Sequence, residues 1–111
     1  MPIFLPKEPG QKELLLTAVL YALSDEVRLG IVRQLAERGE QACGVFEVDR
    51  PKSSLSHHFR VLRESGVVST RKDGKTLLNT LRREDLDARF PGLMDAVLED
   101  GKNTRRRTGK R

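Results

Sequence analysis

Pro51-Lys52-Ser53-Ser54-Leu55-Ser56-His57-His58-Phe59-Arg60-Val61-Leu62-Arg63-Glu64-Ser65-Gly66 reads as a helix that opens on a proline and stops at a glycine. Those are the residues best tolerated at the first helical position and just past the last one. At about 100° per residue, with Leu55 as origin, Phe59 falls near roughly +40° and Leu62 near roughly −20°, one apolar stripe. Ser53, His57 and Arg60 fall near roughly 160°, 200° and 140°, on the opposite face. A helix of this composition has one greasy side to hold it on a domain. Its other side carries short polar and basic groups of the size and chemistry that reach base edges in a major groove. Ser53, Ser56, His57 and Arg60 are the residues expected nearest the bases, with Lys52 at the helix start against the backbone and Ser54 also expected to contact DNA.

Two β-prone runs follow, Val67 to Lys72 and Thr76 to Arg82, joined by Asp73-Gly74, a strong hairpin signal. Arg71, Lys72 and Lys75 surround that turn, so three cations are expected at one protruding tip, where they would meet phosphates or a minor groove. Upstream, Glu13 to Leu23 predicts a helix apolar around most of its circumference, covered on one side by the domain and on the other by a partner subunit. Ser24 is the expected N-cap of the next helix, with Asp25 and Glu26 in its first turn. That helix runs to Arg38 with Ile31, Val32, Leu35 and Ala36 on one face, and Gly39 ends it. Between Gln41 and Val48 the pattern supports a brief extended piece near Ala42 and one helical turn around Val45 to Val48. Downstream, Leu86, Phe90, Leu93, Met94, Val97 and Leu98 keep helical spacing across Pro91, where a break is expected. Helix, helix, connector, helix, hairpin, helix is the element order of a winged helix-turn-helix. The expected fold is therefore mainly α with a small β-hairpin.

Charge follows the same division. Residues 50–83 hold nine Lys or Arg against two acids, formally +7, whereas residues 1–49 are −3 and residues 84–100 are −5. The last eleven residues carry six positive charges and no negative ones. A basic segment between acidic ones points to a localised surface for a polyanion. The 111 residues suffice for one small domain, to which a second copy would add buried surface. Three regions are expected: an extended arm over residues 1–12 containing Pro2, Pro6 and Pro9, the folded domain over 13–100, and a basic, unfolded tail over 101–111. With no Trp, one Tyr and four Phe, little aromatic surface is left for stacking single-stranded bases. Double-stranded DNA is thus the favoured nucleic acid.

The longest apolar run, Leu14 to Leu23, is too short to span a bilayer. Glu8 and Glu13 stand where a secretion signal would be basic, so no membrane association and a cytoplasmic location are expected. Cys43 is the sole cysteine; it excludes an internal disulfide and fits a reducing compartment. Thiolate metal sites normally need several such ligands, and adjacent His57 and His58 diverge by about 100° on a helix, which prevents them from clamping one ion. His58 borders the apolar stripe and is expected to be packed and hydrogen-bonded. No nucleophile with base and orienting acid, and no phosphate-cradling glycine loop, is present, so neither catalysis nor a cofactor is expected.

Ala22-Leu23-Ser24-Asp25-Glu26-Val27-Arg28-Leu29, the helix quoted above continued through Val67-Val68, and Lys72-Asp73-Gly74-Lys75 together resemble the ArsR-type (ArsR/SmtB-like) winged-helix repressors over roughly residues 18–82. The resemblance implies a homodimer built from the first and last helices, bound to an inverted repeat in double-stranded DNA and repressing transcription. Two departures stand out. Many members carry Cys-x-Cys before the recognition helix, where this chain has Ala42-Cys43-Gly44, and others place His and Asp ligands on the last helix, whereas residues 84–111 contain no His. Neither metal site carries over, and the effector is unassigned. Two other readings stay open: a thiol- or ligand-responsive sensor using Cys43, and a winged-helix module that binds a protein partner with DNA incidental.

Overall fold

The computed structural model describes residues 7–42 and 52–99, without the side chains of Lys52 and Ser53. Its first helix, α1 (Leu16–Leu23), starts later than hydrophobicity alone predicted. Gln11–Glu13 forms a single 3-10 turn instead, closed by the Gly10 N–H donating to the Glu13 carboxylate at 2.8 Å. Leu14 and Leu15 then run extended. Packing explains the interruption: the extended step drops Leu14 into the core, fully buried against Gly66.

The second helix, α2 (Glu26–Arg38), is capped by Asp25 rather than by the expected Ser24. Asp25 Oδ2 accepts from the backbone N–H of Val27 at 2.9 Å and of Arg28 at 3.1 Å. Because α2 follows α1 with almost no connection, Ser24 is consumed in closing the first helix, its hydroxyl donating to the Tyr21 carbonyl at 2.6 Å. The next side chain with an acceptor therefore serves the second helix. Ile31, Val32 and Leu35 enter the core as expected, but Ala36 is exposed and Arg28 is buried.

The extended piece near Ala42 is present as β1 (Gln41–Ala42), and it does more than connect. It pairs antiparallel with the second hairpin strand, Gln41 opposite Asn79, making the sheet three-stranded. The turn expected over Val45 to Val48, Cys43, the first residues of the arm and the basic tail lie outside the described residues.

α3 (Lys52–Ser65) ends in a two-bond cap: Gly66 N–H donates to the Arg63 carbonyl and Val67 N–H to the Leu62 carbonyl, each at 3.1 Å. Gly66 is required there twice over. Its φ of 85° suits glycine, and a Cβ would lie 2.2 Å from Leu14 Cδ2. The hairpin strands are β2 (Val68–Asp73) and β3 (Thr76–Leu81), in the sheet order β1-β3-β2. Asp73 pairs with Thr76, so the two connecting residues are Gly74 and Lys75, one position later than expected. Only Gly74 has positive φ, 64°, the pattern of a turn with glycine first. Lys75 thus sits in the turn itself.

After β3 come α4 (Arg83–Arg89) and α5 (residues 93–99), separated at Phe90, Pro91 and Gly92, where proline was expected to break the helix. Leu86 and Met94 from these two helices are fully buried, joining Leu14, Val19, Ile31, Val32, Phe59, Leu62, Val67 and Val68 in one core. The architecture is a winged helix: mostly α, with a small antiparallel sheet. No described helix is long and apolar enough to cross a membrane.

Candidate nucleic-acid interface

α3 divides as its sequence pattern required. Phe59 and Leu62 are buried and Leu55 and Val61 pack on the core, while Ser56, His57, Arg60 and Glu64 are exposed. Ser54 is half-buried at the edge of that strip. Ser56, His57 and Arg60 are therefore brought together on one accessible face. Lys52 and Ser53 belong to the same helix, with side chains outside the description.

Behind that face stands a residue that sequence reasoning missed. Arg28 is only 5% exposed, and its guanidinium donates from Nε to the Ala22 carbonyl at 2.8 Å and from Nη2 to the Tyr21 carbonyl at 3.3 Å. It also lies 5.1 Å from the centre of the Tyr21 ring. Its Nη1 is 3.1 Å from His58 Nδ1. A guanidinium has only donors, so in this contact Nδ1 is the acceptor, which in a neutral ring assigns the proton to Nε2. Arg28 thereby ties the last carbonyls of α1 to the exposed helix α3. Asp25 Oδ2 stands 3.8 Å from the same His58 nitrogen. Burial, the largest influence on Asp25, pushes its pKa up, but the Arg28 backbone N–H, the charge that His58 carries when its ring is protonated, the charge of Arg28, and the Val27 N–H together hold it below its ordinary value. The signal for Arg28 was legible: it sits three, four and seven residues before Ile31, Val32 and Leu35, on the core face.

The wing is held differently. Arg71, on β2, donates from Nε to Glu40 Oε2 at 2.9 Å and from Nη2 to Oε1 at 2.8 Å, a fork-to-fork pair. The Thr80 hydroxyl on β3 donates to the same carboxylate at 3.1 Å. The bond from Arg71 chiefly lowers the Glu40 pKa, and the same bond raises that of Arg71, so both stay charged across the neutral range. Lys72 and Lys75 are exposed and form no ion pair among the described residues. Beneath them, buried Asn79 accepts from the Thr70 hydroxyl at 2.7 Å and donates to the Gln41 carbonyl at 3.2 Å, locking the three strands together. The arm seals the outer edge: Glu8 accepts from the Ser69 hydroxyl at 2.8 Å and the Thr70 N–H at 2.9 Å.

Known proteins resemble this chain in sequence and fold. Residues 23–71, from the end of α1 into the wing, match a helix-turn-helix domain family. The HTH-type transcriptional regulator YceK of Bacillus subtilis, itself uncharacterized, is 37% identical over 82 residues, covering 71% of this chain and 82% of that one. The arsenical resistance operon repressor of Escherichia coli is 46% identical over 57 residues, 48% of this chain and 47% of its own length. Among solved structures, the transcriptional repressor BigR from Xylella fastidiosa superposes with a TM-score of 0.55 at 34% identity, over 67% of this chain and 84% of that one. This chain belongs to the HTH-type transcriptional regulators, and its relatives point to the ArsR-type winged-helix family.

Among the described residues, no group of three His, Cys, Asp or Glu side chains could hold a metal ion. Cys43 falls outside them.

Proposed function

We propose that the protein represses transcription in the cytoplasm, as a homodimer on an inverted repeat of double-stranded DNA. The observation that carries the reading is the α3 face: Ser56, His57 and Arg60 exposed together on a helix whose opposite side is buried and pinned through His58 to Arg28. Arg60 suits a bidentate contact to a guanine, and Ser54, Ser56 and His57 suit shorter polar contacts; by their sequence positions Ser53 would join them and Lys52 would meet a phosphate. Lys72 and Lys75 would position the wing on the backbone. Support for the dimer comes from the start of the fold, where Leu15, just ahead of α1, and Leu16, Leu20 and Tyr21 within it are between 45% and 63% exposed. Such a cluster of large apolar side chains suits a subunit interface. Repression is favoured by similarity to the two repressors named above.

Arg60→Ala is the test. Its affinity for a selected operator should fall by about 1–3 kcal/mol while affinity for random duplex changes little. Equal losses on both would remove Arg60 from base reading.

A further inference from the structure

We propose that Glu40 competes with DNA for Arg71, so that the wing presents two working cations, Lys72 and Lys75, and keeps the third electrostatically silent. The inference rests on the DNA-binding reading above and names a residue that sets its strength. Arg71 offers its forked edge to a carboxylate that matches it with two bonds of 2.9 and 2.8 Å. A phosphate would use that same edge for a bidentate contact. The competitor is fixed in place. Glu40 directly precedes β1, whose pairing with β3 holds its backbone, and Thr80 grips the carboxylate from a second side at 3.1 Å. The pair is also accessible, with the Arg71 side chain 59% and the Glu40 side chain 33% exposed. A phosphate approaching this part of the wing therefore meets a cation already engaged by an anion of equal charge, whereas Lys72 and Lys75 flank the exposed Asp73 without an ion pair to it, two cations against one anion at the tip.

Counterion release makes the difference measurable. Each phosphate neutralised contributes about 0.9 to the slope of log affinity against log salt. Glu40→Gln keeps the shape and one acceptor but removes the charge. It should strengthen binding to operator and random duplex alike by several-fold and steepen the slope by about 0.9. Replacing both partners, Glu40→Gln with Arg71→Gln, should restore the slope and affinity of the parent protein. A slope shallower by about 0.9 in the double variant would show that Arg71 neutralises a phosphate despite Glu40, and would overturn the inference. Failure of Glu40→Gln to steepen the slope would do the same. Lys72→Gln, measured alongside, should make the slope shallower by about 0.9. If it leaves the slope unchanged, the wing does not touch DNA and the functional reading fails first. Circular dichroism melts establish that every variant is folded.

Discussion

Two arginines, Arg28 and Arg71, each make two or more hydrogen bonds, yet one is 5% exposed and the other has a side chain 59% exposed. Arg28 spends its donors on two backbone carbonyls and a histidine inside the protein, joining α1, α2 and α3. Water cannot replace those bonds, so the residue is a strut for α3. Arg71 is bound by one carboxylate at the surface, where solvent and salt screen the pair. Its bonds can be exchanged for others at little expense, which makes it a means of adjusting affinity and a poor source of stability. The same side chain does different work because burial decides whether its partners are replaceable.

The largest expected effect lies on the buried side of this comparison. Arg28→Met keeps the apolar stem and deletes the donors, and should destabilise the protein by about 2–3 kcal/mol in urea denaturation. Operator affinity should fall as well under conditions where the variant is fully folded, since His58 loses its anchor. A variant as stable as the parent would show that Arg28 is merely accommodated. Next comes Asp25→Ala, which removes the α2 cap and should cost about 1 kcal/mol near neutral pH. Because Asp25 titrates below its ordinary value when folded, its contribution is complete above that value and disappears as pH falls through the lower folded one. The gap between parent and variant should therefore be constant around neutrality and close in acid, below about pH 4. A gap that widened on acidification would contradict the assigned shift. Smallest is the exposed pair: Glu40→Gln with Arg71→Gln should leave the urea midpoint where it is, and a clear fall would make the pair a structural staple.

The parts legible in the sequence were those encoded locally. The helical spacing of Leu55, Phe59 and Leu62, the glycines at 66 and 74, and Pro91 each act on their own neighbours, and the elements they define are present. What escaped depends on residues far apart in the chain. Arg71 meets Glu40 across 31 positions and Asn79 meets Gln41 across 38, so neither the latched arginine nor the third strand leaves a periodic trace. Leu14 illustrates the same limit from the other direction: its hydrophobicity fits a longer α1, and only the space over Gly66 draws it out of the helix. Ser24 and Asp25 are both good caps by residue type, and the tight junction of two helices, invisible in composition, decides between them. In the candidate interface, the exposed face of α3 was readable because one helix supplies all of it, while the residue that pins it comes from another.

Selection of bound sequences from a random duplex pool at about 150 mM salt, where purely electrostatic binding is suppressed, tests the central claim most directly. The account predicts recovery of an inverted repeat, each half read by one α3, with Arg60→Ala relaxing the preference at one position in each half. Recovery of no motif by folded protein, or of the same motif by Arg60→Ala with undiminished preference, would contradict it.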